Sequence, residues 1–132
     1  MDWNEKRKKR KELRDKIKKL QKEINELRET VSDYQTCQSD INLEIVHWDI
    51  KYKTYTGLEL YSPIWMKDKF EGQAAEELGQ MIPEAVRELQ MTANLMRNVS
   101  AGIRDQITMI EEYIEELAAK ISELWDQLAA LE

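Results

Sequence analysis

The chain has 132 residues, of which 35% are charged and 42% apolar, and its formal net charge is −6 at pH 7. Periodically spaced apolar residues in this amount argue against intrinsic disorder, and no window approaches the roughly 18 to 20 apolar residues that a membrane-spanning helix requires. A single cysteine and a single histidine exclude an intramolecular disulfide, a multi-histidine metal site and a zinc site built from several thiolates.

The segment from about residue 4 to residue 55 is predicted to form one long helix. It contains neither Gly nor Pro, and Lys, Glu, Arg and Leu dominate its first thirty positions. Its apolar residues recur at alternating intervals of four and three, which is coiled-coil spacing, and only Gln38 interrupts the pattern with a polar side chain. The a positions are Ile17, Ile24, Val31, Gln38, Ile45 and Tyr52, and the d positions are Leu13, Leu20, Leu27, Tyr34, Ile41, Trp48 and Tyr55.

Residues 56–72 are predicted to connect two long helices through a short helix or turn around residues 57–72. Gly57 suits a left-handed helix cap, and Ser62 followed by Pro63 supplies an N-cap with proline at the first helical position. This connector carries the aromatic residues Trp65 and Phe70.

Residues 73–131 are predicted to form the second long helix, with the same heptad spacing. Its periodic positions are Ile82, Val86, Leu89, Ala93, Met96, Ser100, Ile103, Ile107, Ile110, Ile114, Leu117, Ile121, Leu124, Leu128 and Leu131. Pro83 predicts a kink or a fresh helix start near residues 80–83, because proline removes a helix hydrogen bond and clashes with the preceding turn. Among the remaining residues of this helix, Gly102 lowers helix stability the most, unless a neighbour packs closely against it.

Charge is distributed unevenly between the two ends of the chain. The first thirty residues carry twelve Lys/Arg and seven Asp/Glu, whereas residues 105–132 carry eight Asp/Glu and one Lys. An antiparallel arrangement places these ends side by side, although each exposed pair contributes only about 0.2–1 kcal/mol. The sequence therefore predicts an all-α fold, an antiparallel helical hairpin of two long helices with coiled-coil-like packing, as a single elongated domain over residues 1–132.

The residues that carry chemistry do not form a constellation. His47 is expected on the surface or beside the helix interface, Cys37 as a partly packed structural thiol, and the Glu pairs at 111–112 and 115–116 on a solvated face. The basic tract over residues 6–19 contains no interleaved aromatic residue on which a nucleic-acid base could stack. Attraction to the acidic second half of the same chain therefore explains this tract better than nucleic-acid binding does. No catalytic, cofactor-binding or metal-binding residue is predicted, and the chain is not expected to be an enzyme.

The most specific local signal is the nine-residue sequence Phe70-Glu71-Gly72-Gln73-Ala74-Ala75-Glu76-Glu77-Leu78. Glycine permits a backbone reversal or a close helix approach, Phe70 can plug the end of a hairpin, and Ala74 and Ala75 let backbones come near. This sequence resembles the Trp-x-Gly turn of the small helical-hairpin substrates of type VII (ESX-like) secretion. The whole layout is similar to the helper proteins associated with LXG toxins of that system.

Some features depart from the pattern of that family. Phe70 stands where Trp is usual, and Trp65 is an alternative for the turn aromatic, with Lys67 then at the Gly position. The expected Tyr-x-x-x-Asp/Glu export signal is not found after the second helix, because the fourth residue after Tyr113 is Leu117. Carriage with a partner that bears the signal fits these departures better than export by the chain's own signal.

The resemblance implies a non-enzymatic adaptor or targeting chaperone that binds the helical N-terminal region of an LXG-type toxin, together with a second small helical protein, for type VII secretion. We expect it in the bacterial cytoplasm or exported with its partner. Residues outside the heptad interface, with aromatic anchors near the turn, would form the partner surface: Leu43, Val46, Trp48, Ile50, Tyr52, Tyr55, Trp65, Phe70, Leu95, Val99 and Met109.

The alternative functions are a self-associating coiled-coil scaffold without a role in secretion and a nucleic-acid-binding basic helix. A homodimer of the isolated chain is compatible with both the adaptor and the scaffold.

Overall fold

The computed structural model describes residues 2–57 and 72–132, without the side chains of residues 55–57, 73–75 and 78. It contains two long helices, α1 (Trp3–Gly57) and α2 (Gln73–Ala130), and the described residues include no strand. The helices pack against each other, so the predicted all-α helical hairpin is confirmed. Residues 58–71 of the predicted connector, with Trp65 and Phe70, lie outside the described residues, whereas residues 56 and 57 belong to α1.

The ends of the helices are defined by local backbone interactions. Asp2 caps α1, because its carboxylate accepts a hydrogen bond from the Asn4 backbone N–H at 2.8 Å and Glu5 reaches back to the Asp2 backbone N–H at 3.4 Å. Gly72 precedes α2 with φ +68°, a left-handed conformation that glycine adopts without steric cost. Pro83 lies inside α2, which continues through it, so a fresh helix start at residues 80–83 is not found.

The chain divides into two compact units, each built from a segment of both helices. Unit 1 comprises Met1–Thr36 and Ile103–Glu132, and unit 2 comprises Cys37–Gly102. Within the described residues, neither helix has a stretch that is long and apolar enough to cross a membrane.

The core of unit 1 is the seam between the two helices, meaning the interface formed by their a and d positions. Its buried residues all occupy the predicted positions and are Leu13, Ile17, Ile24 and Val31 from α1 with Ile107, Leu117 and Leu128 from α2. Each fully buried Leu or Ile stabilises the folded state by about 1.5–3 kcal/mol. Tyr34, also predicted in the seam, is instead 38% exposed. Tyrosine suits a partly exposed position because its hydroxyl can stay in water while its ring packs.

The seam of unit 2 is less deeply buried and contains a polar layer. Its buried residues, among those described, are Val86, Ala93 and Ser100, all from α2. The α1 side chains at the predicted seam positions, Ile41, Ile45, Trp48 and Tyr52, are only half-buried. Gln38 donates a hydrogen bond to the Ser100 backbone oxygen at 3.2 Å, and the Ser100 hydroxyl donates to Asn42 Oδ1 at 2.9 Å.

Candidate interaction surfaces

Unit 2 exposes the apolar residues that its seam does not use. Leu43, Val46 and Ile50 on α1 and Leu95 and Val99 on α2 are between 52% and 63% exposed. Large apolar side chains in water at helical spacing are typical of a surface that another helix covers. Met109, predicted in the same interface, is also exposed but belongs to unit 1.

The α1 and α2 members of this set lie on different faces of unit 2. Leu43 and Ile50 each stand two residues before a predicted a position, which puts them on the face of α1 that points away from the seam. On α2, Leu95 and Val99 continue the 3–4 spacing of residues 85, 88 and 92, which line a groove beside Trp48 of α1. The structure therefore shows two apolar stripes, which we call the α1 stripe (Leu43, Val46, Ile50) and the α2 stripe (Leu95, Val99).

A groove beside Trp48 extends the α2 stripe. It has a volume of about 380 Å³ and is lined by Trp48, Ile82, Ala85, Val86, Glu88, Leu89 and Thr92. The Lys51 ammonium lies 5.0 Å from the centroid of the Trp48 ring, within cation–π distance. A half-buried tryptophan at the edge of an apolar groove is the kind of anchor that dominates the energy of protein interfaces.

The predicted turn motif is described only in part. Gly72 has a left-handed backbone, and a Cβ placed on it meets no described atom within 4 Å, so close approach of a described helix does not account for this glycine. Ala74 and Ala75 lie in the first turn of α2 and Tyr55 near the end of α1, but their side chains are not among those described. Tyr52 is half-buried.

Two isolated reactive residues are on the surface. His47 is exposed and lies 3.8 Å from Glu44, as expected for a surface histidine. Cys37 is exposed, so the expectation of a partly packed thiol is wrong; it lies beside the polar Gln38 layer, where little apolar surface is available to cover it. No group of three or more potential metal-binding side chains occurs among the residues that the structure describes.

Unit 1 contains a groove that the sequence did not predict, and we call it the basic groove. It has a volume of about 920 Å³ and is lined by Trp3, Asn4, Arg7, Lys8, Arg10, Lys11, Arg14, Asp15, Ile17, Lys18, Gln21 and Trp125. The Arg7 guanidinium lies 5.6 Å from the centroid of the Trp3 ring. Trp125 of α2 is 49% exposed and supplies an aromatic surface beside the basic tract of α1.

Few of the positive charges in the basic groove are paired. Arg14 lies 3.9 Å from Glu132, and the Arg10 guanidinium donates a hydrogen bond to the Leu131 backbone oxygen at 3.3 Å. Arg10 Nε is buried without a hydrogen-bond partner among the described atoms. In the described part of unit 1, Arg14–Glu132 is the ion pair that joins the basic tract to the acidic end. Lys16 and Lys19 of the tract also line one surface depression together with Glu123 of α2.

Comparisons of the sequence with protein-family models and with curated proteins, and of the fold with solved structures, found no match.

Proposed function

We propose that the chain is a non-enzymatic adaptor that binds a helical segment of another protein. The observation that carries this proposal is the exposure of both apolar stripes of unit 2, whose seam is itself only half-buried on the α1 side. A partner helix on either stripe would bury apolar surface that the free chain leaves in water.

The finer proposal names the partner as the helical N-terminal region of an LXG-type toxin, carried to type VII secretion with a second small helical protein. It is supported by the resemblance of the sequence around Gly72 to the turn of type VII hairpins and by the left-handed backbone of Gly72 before α2. The chain would act in the bacterial cytoplasm or leave the cell with its partner.

Co-expression with the N-terminal region of an LXG-type toxin encoded beside this chain, followed by co-purification, tests the proposal. The double variant Leu95→Glu with Val99→Glu should abolish recovery of the toxin, because it places two charges in the apolar contact. The matched control, Gln90→Glu with Asn98→Glu, adds the same charge to exposed polar positions of the same helix and should leave recovery unchanged. A wild-type chain that recovers no toxin, or equal recovery by both variants, would refute the adaptor.

The second candidate is a self-associating coiled-coil scaffold without a role in secretion, and the same two stripes support it. A second copy could cover an apolar stripe of unit 2 with its own and make a four-helix bundle. Sedimentation at micromolar concentration separates the two functions. A tight homodimer that the toxin region does not alter supports the scaffold, whereas a monomer or loose oligomer that rearranges with that region supports the adaptor.

A further inference from the structure

We propose that the basic groove of unit 1 binds a short acidic amphipathic helix from another protein. This surface is distinct from the apolar stripes of unit 2, and the proposal holds whether or not the partner of those stripes is an LXG-type toxin.

The spacing of the basic side chains fits an α-helical ligand. Arg7, Lys11, Arg14 and Lys18 line the groove at intervals of four, three and four residues along α1. The lining from residue 4 to residue 21 extends over about 26 Å at 1.5 Å per residue. Carboxylates on a second helix lying alongside α1 recur at the same intervals, so each basic residue can meet an acid.

The groove also provides the apolar contact that an amphipathic ligand requires. Ile17 is buried at its base, and Trp125 presents about half of its surface to solvent on the α2 side. Trp3, 66% exposed, lies at the end of the groove where α1 begins. Apolar residues on one edge of a bound helix would pack against these indoles, and tryptophan is among the residues that contribute most to binding energy.

The electrostatic state of the groove favours an anionic ligand. Six of its lining residues are Arg or Lys, whereas Asp15 is its one acid. Among the described residues, Lys8, Lys11 and Lys18 take part in no ion pair. Carboxylates of a ligand would pair with these exposed ammonium groups and would speed association by electrostatic attraction.

Acidic residues of unit 1 outside the basic groove favour a short ligand over a long polyanion. Residues 105–132 carry eight acids and one base, and Glu111 and Glu115 lie on α2 in the same unit. A nucleic acid extending past the groove would meet these carboxylates. A membrane surface requires a continuous apolar face, and the α1 residues of the lining between Asn4 and Gln21 include only one aliphatic side chain, Ile17.

The experiment measures fluorescence anisotropy of a labelled, designed acidic amphipathic peptide, about five helical turns long, with Glu facing one side and Leu on one edge. A scrambled peptide of the same composition is its control. The groove variant Lys11→Gln with Lys18→Gln should weaken binding about tenfold or more. The matched variant Lys9→Gln with Lys16→Gln removes the same charge from α1 residues outside the groove lining and should change binding less than about twofold. Circular dichroism of all variants verifies that helicity is retained.

Three results would overturn the proposal: no binding of the amphipathic peptide, equal binding of the scrambled peptide, or equal weakening by the two variants. A single-stranded oligothymidine or phosphatidylserine vesicles that bind as tightly, and lose binding in the groove variant, would overturn it in favour of a general polyanion site. The variant Leu95→Glu with Val99→Glu should bind the peptide normally, so failure of the proposed adaptor function and failure of this inference are separable.

Discussion

Gln38 and Ser100 join the two helices of unit 2 through a hydrogen bond of 3.2 Å from the Gln38 side chain to the Ser100 backbone oxygen. Ser100 is 5% exposed, and its hydroxyl also donates to Asn42. Heptads of Ile and Leu permit several alternative alignments of similar energy, whereas a polar layer is satisfied in one alignment. We infer that this contact fixes the register of the helices in unit 2.

Gln38→Leu is expected to leave the free energy of unfolding unchanged or to raise it by about 1 kcal/mol, while relaxing the register. Leucine at an a position adds apolar burial, and the Ser100 oxygen lies inside α2, where it can accept a helix hydrogen bond. Urea denaturation measures the first effect, and sedimentation measures the expected spread of oligomeric states. A loss of stability with a single sharp species would contradict the assignment.

Gly72 and Gly102 should respond in opposite ways to substitution by alanine. Gly102 lies inside α2, and a Cβ added there meets no described atom within 4 Å, so Gly102→Ala should stabilise the fold by about 1 kcal/mol through helix propensity. Gly72 has φ +68°, so Gly72→Ala should destabilise it by about 1–2 kcal/mol. Thermal denaturation of both variants verifies the contrast, and destabilisation by Gly102→Ala would indicate an additional contact there.

Alanine substitutions at Leu117 and Leu95 compare how much the seam and the α2 stripe each contribute to the stability of the free chain. Leu117 is 2% exposed, and Leu117→Ala should destabilise the chain by about 2–5 kcal/mol because it removes buried apolar surface and leaves a cavity. Leu95 is 63% exposed, and Leu95→Ala should change the free energy of unfolding by less than about 0.5 kcal/mol. Chemical denaturation measures both changes. A large loss of stability in Leu95→Ala would mean that the α2 stripe is already covered in the free chain.

The ion pair between Arg97 and Asp49 places both carboxylate oxygens 2.6 Å from the same guanidinium nitrogen. Its side chains are 46% and 42% exposed, so solvent screens the interaction. A double-mutant cycle with Asp49→Asn and Arg97→Gln should give a coupling energy of about 0.2–1 kcal/mol. The coupling should fall in about 1 M salt, where the Debye length is about 3 Å. A coupling that salt does not reduce would contradict this account.

The pKa of Tyr113 is raised above its ordinary value of 10.0, because its hydroxyl donates a hydrogen bond to Glu23 at 3.2 Å and the carboxylate charge opposes ionisation. The neutral phenol is therefore favoured in the folded state. The contribution of this contact to stability is complete below the ordinary pKa of tyrosine and is lost as pH rises through the raised pKa.

A site-resolved NMR titration of Tyr113 measures this shift, and Glu23→Gln should return the pKa toward its ordinary value. Glu116, a smaller contributor, should have less effect when changed to Gln. An equal pKa in the wild type and in Glu23→Gln would show that the hydrogen bond does not form.

The heptad spacing predicts the seam of α2 well, since burial along a long helix follows from its period. Every predicted a and d residue from Ile82 to Leu131 is buried or half-buried. The same logic predicts that Leu43 and Leu95, which lie off the seam positions, are exposed. It does not predict which α2 residue lies beside each α1 residue, because that depends on the register in which the two helices pair.

The basic groove could not be predicted in the same way. The tract over residues 6–19 has no aromatic residue of its own, and Trp125 reaches it only because the antiparallel pairing of unit 1 places the end of α2 beside the start of α1. The heptad pattern of α2 indicates that Trp125 flanks the seam, but the level at which it meets α1 depends on the register of two distant segments. Local sequence patterns do not contain that information.

The exposed thiol of Cys37 has a consequence for how copies of this chain meet. It is the one sulfur in the sequence that can form a disulfide, so oxidation can join two molecules covalently through a single point. Such a linked pair needs no complementary surface, and a reductant separates it again. Covalent pairing of the free protein therefore depends on the redox potential of its surroundings.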